Sequence, residues 1–275
     1  MKSQASLPTL LALICFLLPL KASAESEPAW MKEITRLPAG DHANLRPVKL
    51  DYSLAWNNRV NAGKLEISIV RSNPKNGRFI GDASGRSTGF ARILWPYDFT
   101  ARSVVDGKTL RPINFQLSDQ ERNEATRYDI VFEPRRQVYT TISRKKNEEP
   151  RTSTARFRFD YGQDLLSSAF YLRSQPLKTG DEISMLVTPF NRPYLAEFTV
   201  AGRDVRKVKG TEYKAIRLEA KVGRVNQDLT LREYEKIRKT TLWVSDDEYR
   251  IPLELQSDIS VGFVSARLNE LQWLD

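Results

Sequence analysis

The chain is poor in the residues that make reactive or stapled sites. Of its 275 residues one is a cysteine, Cys15, and one is a histidine, His42. Cys15 lies in an N-terminal stretch expected to be removed, so the mature chain has neither disulfide nor thiolate ligand, and packing alone must stabilise it. Zinc and copper centres need several nitrogen or sulfur ligands, so no such metal is expected, and no cofactor; an all-oxygen calcium site stays open. A Ser-His-Asp triad would have to recruit His42 from beside Asp41, ahead of the first clear strand, and no serine stands in a nucleophile elbow. Gly77, Gly81, Gly85 and Gly89 are evenly spaced, but no Gly-Lys-Ser/Thr follows, which excludes a phosphate loop. Arg78, Asp82 and Arg86 exclude membrane-helix pairing there. That polar segment reads as a flexible connection, with a ligand lid as the alternative.

Long hydrophobic runs are also scarce. The one prominent apolar stretch, Leu7 to Leu20, follows Lys2, is broken by Pro8 and Pro19, and ends in Ala22-Ser23-Ala24. This is the arrangement of a secretory signal peptide over residues 1–24, cleaved after Ala24, and it is too short for a retained membrane anchor. Leu13-Ile14 before Cys15 lacks the small residue that a lipoprotein site requires. A periplasmic or secreted protein is therefore expected, with a polar lead over 25–47 and one β-rich domain over 48–275 that could subdivide near residue 160. Losing Lys2 and Lys21 takes the formal charge from +9 to +7. Outside the cytoplasm such a surface suits anionic lipid, a lipoprotein or a glycan better than nucleic acid, although moderate charge also serves solubility alone.

What the chain has in quantity is period-two alternation. Leu65, Ile67 and Ile69 alternate with Lys64, Glu66 and Ser68; Ile216, Leu218, Ala220 and Val222 alternate with Arg217, Glu219 and Lys221; Ile251, Leu253 and Leu255 alternate with Pro252, Glu254 and Gln256. One buried and one wet face is the behaviour of antiparallel sheet. Pro252 lacks a backbone donor and should mark an edge or a bulge. Asn57-Asn58, Asp106-Gly107, Lys209-Gly210 and Ser245-Asp246-Asp247 punctuate the strands as turns, which predicts a meander of hairpins. One helix is predicted from about Asp164 to Arg173, capped by Asp164, with Leu165, Leu166, Ala169, Phe170 and Leu172 as its apolar stripe and Pro176 as its stop. The expected fold is mainly β: a curved antiparallel meander sheet, partial barrel or clam-like, with this short helix packed on or in it.

Three groups are candidates for function. Trp95, Tyr97 and Phe99 form the densest aromatic cluster, able to stack on sugars or line a lipid pocket, although aromatic residues on strands are more commonly core. Arg144, Lys145 and Lys146 head a basic stretch from Arg135 to Arg158 that could bind anions; the commoner reading is a solvated hairpin tip over 143–153. Arg156 and Arg158 alternate with Phe157, Phe159 and Tyr161 and should point away from that aromatic face. Phe170 completes the candidate ligand-binding set from the helix. Asp246-Asp247-Glu248 reads as a turn in which an Asp side chain accepts from a backbone amide, not as an acid/base pair.

The run Asp164-Leu165-Leu166-Ser167-Ser168-Ala169-Phe170-Tyr171-Leu172-Arg173, with Pro176-Leu177 and Gly180-Asp181 after it, resembles the helix motif of domain-of-unknown-function family 3108, a group of exported bacterial proteins. Val200-Ala201-Gly202-Arg203-Asp204, Tyr213-Lys214-Ala215-Ile216, and Leu242 to Asp247 with Arg250-Ile251-Pro252 agree in order; Leu50-Asp51-Tyr52 and Ala62-Gly63 resemble the opening strands. The resemblance runs from about Val48 to Trp273 and departs in the basic middle, 135–158. It implies a β-rich domain with a curved sheet and an inserted helix, makes the Ser-Asp-Asp turn a fold signature, and carries over no catalytic residue. The leading expectation is a non-catalytic envelope protein binding or carrying an apolar or anionic ligand such as a lipid. Its rivals are a peptidoglycan or polysaccharide binding module and a carboxylate-dependent hydrolase.

Overall fold

A computed structural model describes residues 27–41, 45–73, 77–159, 161–235, 237 and 239–274. The expected signal peptide and His42 lie outside these. The chain opens with α1 (Ala29–Glu33), then runs through β1 (Val48–Trp56), β2 (Val60–Asn73), β3 (Arg78–Ser87), α2 (Gly89–Leu94), β4 (Tyr97–Asp106), β5 (Pro112–Glu121), β6 (Glu124–Glu133), β7 (Arg136–Lys145) and β8 (Arg151–Phe157). It continues with β9 (Gly162–Gln163), α3 (Leu165–Ser174), β10 (Glu182–Val187), β11 (Tyr194–Val208), β12 (Thr211–Val225), β13 (Leu231–Glu233), β14 (Thr240–Ser245), β15 (Pro252–Asp258) and β16 (Phe263–Trp273).

All sixteen strands belong to one sheet, ordered 8-7-6-5-4-3-2-1-16-15-14-12-11-10-9, with β13 beside β12. The sheet starts in the middle at β1, runs outward hairpin by hairpin to β8, reaches the opposite edge at β9, and after α3 returns from β10 to place β16 against β1. Every described pairing is antiparallel except the short β9–β10 contact. The turns follow their chemistry: Lys209 and Gly210 take φ of 45° and 90° in a two-residue hairpin, and Asn57 and Asn58 take 48° and 54° in the three-residue β1–β2 turn, all in the left-handed region. Pro252 sits in an interior strand at a register shift opposite Trp243/Val244, so a bulge accommodates its missing donor.

Helix α3 begins where its cap does. Asp164 Oδ1 accepts from the Leu166 and Ser167 amides at 2.7 and 2.9 Å, while Ser167 Oγ accepts from the Asp164 amide at 2.9 Å, a reciprocal capping box. The helix lies on the concave side of the sheet, where Leu166 and Phe170 are buried. Here the glycine-spaced segment is not a flexible connection. It is β3, near the middle of the sheet, and it presents Gly81, Ala83 and Gly85 inward because the helix needs the space. A Cβ at position 81 would lie 2.9 Å from Phe170 Cζ, and one at 85 would lie 2.3 Å from Phe99 Cε1. Small inward residues erase the apolar alternation that would have announced the strand.

The lead packs too. Trp30, Met31 and Ile34 are buried, Trp30 Nε1 donates to the Leu229 carbonyl at 2.8 Å, and Thr35 exchanges bonds with Ser184 of β10. Tyr171 of α3 donates to the Leu37 carbonyl at 2.8 Å, so the lead straps the helix onto the sheet. Across the far gap Thr188 donates to Gln137 of β7 at 2.8 Å, and Tyr128 packs on Phe190 at 5.4 Å, so side chains draw the two wings of the open sheet together.

Candidate functional site

The strand directions gather several candidates at one end of the sheet. β3 ends there at Ser87, β4 starts at Tyr97, β5 ends at Glu121, β6 starts at Glu124 and β7 ends at Lys145. Trp95, Tyr97, Phe99, Arg144, Lys145 and Lys146 therefore share that end. Phe170 does not join them: it is core, 2% exposed, beneath the sheet at Gly81.

The aromatic group is a ladder from surface to interior. Trp95 stacks on Tyr97 with centroids 5.0 Å apart, Tyr97 meets Phe99 at 6.0 Å, and Phe99 lies over Gly85. The ladder is not core throughout, because its outer rungs stand beyond the reach of α3. Trp95 is 50% exposed, and its Nε1 donates to Glu121 Oε1 at 2.7 Å. Tyr97 faces Asp119, whose carboxyl is pushed upward by burial, with the Glu121 charge adding to it.

Sequence reasoning missed α2, which precedes the ladder. Phe90, Ile93 and Leu94 are all exposed, Ile93 at 78%. Their spacing, one then three and four residues on, is that of an apolar helix stripe, and this signal was legible in Phe90-Ala91-Arg92-Ile93-Leu94. The helix is fixed at its end: Arg122 donates to the Leu94 carbonyl at 2.9 Å, and Arg92 pairs with Asp98 at 2.7 Å. The Lys146 amide donates to the Asn123 carbonyl at 2.8 Å, joining the basic tip to the turn that holds α2. Trp56, Val60, Val261 and Val264 add exposed apolar surface around the neighbouring β1–β2 and β15–β16 turns. The result is an apolar lip beside the tip that carries Arg144, Lys145 and Lys146, with Lys145 opposite Glu124 across the β6–β7 pair and Glu148 bound to Arg151.

Among the described residues no group of three or more His, Cys, Asp or Glu side chains is placed to hold a metal ion. No helix of the described residues is long and apolar enough to cross a membrane.

The model of a family described as "Protein of unknown function (DUF3108)" matches residues 51–269. The chain belongs to this family. No curated protein matches it. Among solved structures it is similar to a β-barrel-like protein of domain of unknown function DUF1849 from Brucella abortus, at 10% identity and a TM-score of 0.55, covering 84% of this chain and 99% of that one. A weaker likeness is to a protein with YmcC-like fold from Bacteroides fragilis, at 8% identity and a TM-score of 0.32, covering 83% and 97% of the two chains. At these identities the first likeness speaks for the fold alone.

The residues that carry the DUF3108 resemblance converge on one structural knot. Asp247 Oδ1 accepts from the Ser245 hydroxyl and from the Tyr249 and Arg250 amides, and Ser245 Oγ accepts from the Ile251 amide. This turn aims Arg250 at the Gln175 and Pro176 carbonyls, while Arg203 pairs with Asp246 and donates to the Leu177 carbonyl. Arg173, pulled down by burial to about 10 and so still charged near neutrality, donates to the Tyr249 carbonyl at 2.6 Å. Three arginines thus hold the exit of α3 to the β14–β15 turn. The motif is architecture, as its reading as a fold signature implied.

Proposed function

We propose that this DUF3108 protein is a non-catalytic, exported envelope protein that engages a lipid-bearing surface or ligand through the lip formed by α2 and Trp95, with the Arg144–Lys146 tip meeting the anionic headgroups. The observation that carries this reading is the exposure of Phe90, Ile93, Leu94 and Trp95 on a rigidly held helix next to three cations. Apolar side chains flanked by lysine and arginine suit the boundary between headgroups and acyl chains. The concave hollow of the sheet is occupied by α3 and the lead, so the apolar surface on offer is at the rim. Export is supported by the signal-like residues 1–24 and the absence of cysteine from the rest of the chain.

The mature protein is expected to co-sediment with phosphatidylglycerol vesicles and less with phosphatidylcholine vesicles. Ile93→Ser with Leu94→Ser should reduce that binding at least tenfold without lowering the melting temperature, since both side chains face solvent. Equal sedimentation of parent and variant would overturn the lip reading. Binding to purified sacculi in its place would move the protein to the glycan-binding class.

A further inference from the structure

At the opposite end of the sheet lies a second feature that this reading does not use. The lead after α1, the β4–β5 turn, β9, α3 and β10 enclose a cavity of about 250 Å³. Its lining carries Arg36, Lys108 and Arg111 together with Tyr161, Gln163 and Tyr171, with no Asp or Glu among the described residues that line it. Among the described residues, the side chains of Arg36, Lys108 and Arg111 have no ion-pair partner within 4.0 Å. The nearby Asp106 is occupied by its own turn, accepting from the Lys108 and Thr109 amides at 3.1 and 2.8 Å.

Two of these cations share one aromatic ring. Both guanidiniums stand over the ring of Tyr161, Arg36 Cζ at 5.0 Å and Arg111 Cζ at 4.1 Å from its centroid, a cation–π arrangement that limits their freedom. Lys108 and Arg111 flank Leu110, which is fully buried with φ of 54° and so anchors the turn that presents them. Lys108 feels the charge of Asp106, but among the described residues Arg36 and Arg111 have no ion-pair partner within 4.0 Å, and an oxyanion between like charges relieves their repulsion. Arginine forks match phosphate and carboxylate oxygens. A second, independent sign comes from the lining: Gln163 is 6% exposed, and its Oε1 is buried with no hydrogen-bond partner. Such an acceptor is costly to leave unpaired and calls for a ligand donor. The volume equals roughly eight waters, enough for a phosphate with a small substituent.

We propose that this cleft binds a phosphorylated polyol, its oxyanion held by Arg36, Lys108 and Arg111 and one hydroxyl donating to Gln163 Oε1. The chemistry is shared by soluble glycerol phosphates and by the glycerophosphate headgroup of a lipid. Titration calorimetry of the mature protein with glycerol 3-phosphate should show saturable binding that weakens as salt is raised, and no binding of glycerol. Arg36→Gln with Arg111→Gln should weaken it at least tenfold at an unchanged melting temperature. Methyl phosphate, which keeps the anion and lacks the hydroxyls, should bind several-fold more weakly than glycerol 3-phosphate, and Gln163→Met should remove that preference. Dihexanoyl phosphatidylglycerol below its micellar concentration separates the sources: tight binding identifies the lipid headgroup, and binding of the soluble ester alone identifies free phosphoester. No saturable binding, or equal binding by the double variant, overturns the site, and a methyl phosphate affinity equal to that of glycerol 3-phosphate overturns the role of Gln163. The lip variant Ile93→Ser/Leu94→Ser should titrate like the parent, so the two sites fail or stand separately.

Discussion

Asp164 does more than cap a helix. It is fully buried, and besides two backbone amides it accepts from Ser103 Oγ of β4 at 2.5 Å, tying α3 to the sheet. Burial pushes its carboxyl up to about 6, against these same hydrogen bonds, which pull it down. An unfolded aspartate titrates near 3.9. Between these values the folded protein binds more protons than the unfolded one, so this residue makes stability fall as pH rises from about 4 to about 6, with no further change above. A shift of two units corresponds to about 3 kcal/mol. Asp164→Asn retains a capping acceptor and cannot titrate. Urea unfolding of parent and variant at pH 4 and pH 7 should show the variant gaining about 2 kcal/mol relative to the parent at the higher pH, since at pH 4 about half of the unfolded aspartate is already ionised. A constant difference would mean that Asp164 titrates alike folded and unfolded. The cap itself was legible in the sequence. Its burial was not, because Ser103, 61 residues away, is what receives it.

At the scale of elements, legibility followed how far a segment's pattern was set by solvent on one side and core on the other. β2 and β12 were legible because apolar and polar residues alternate along them, whereas in β15 the bulge at Pro252 breaks the expected pattern, so that Glu254 is buried at 9% exposure and Leu255, expected inside, is 37% exposed. α3 was legible from its cap, stripe and stop, and the hairpin tip within 143–153 from its run of charge. β3 was hidden because its inner face is shaped to another element, and Gly81 is the clearest case. Phe170→Ala should cost ~3–5 kcal/mol, since a fully packed aromatic is lost. Gly81→Ala should destabilise the parent, whose buried ring has nowhere to go, and should be much milder in the Phe170→Ala background. Chemical denaturation of the four proteins would show this coupling, and strictly additive losses would place the ring elsewhere. The candidate site was half legible: its aromatic ladder and cations were singled out, but their meeting at one end is a product of strand direction. The cleft escaped notice because its cations are 36, 108 and 111, scattered in the chain and joined only by the fold.

The whole molecule has two ends of different character, an apolar lip with a cationic tip at one and a polar cationic cleft at the other, on a sheet whose wings are linked by Gln137 and Thr188. Its two halves are unequal partners. β1 to β8 form a ladder of local hairpins, yet their concave face is made of Gly81, Ala83, Phe115 and Ile130 waiting for α3 and the lead to cover them. A fragment ending at residue 159 should therefore hold β structure by circular dichroism but bind a hydrophobic dye and melt without a cooperative transition. A sharp transition would show that the first half has a core of its own.

The order of strands also decides which losses the protein can bear. In most meanders the last strand is an edge, and trimming it shortens the sheet. Here Val48 pairs with Trp273, and the strand completed last is wedged between β1 and β15 at the centre. A stop codon or protease cut that removes only residues 263–274 would not trim a border; it would split the sheet down its middle. Two half-sheets would then each show a raw interior edge, the condition under which β proteins associate with one another. The shortest C-terminal truncations of this chain should for that reason be among its most damaging, while insertions at the 146–150 tip, which belongs to the outer hairpin of β7 and β8, should pass almost unnoticed.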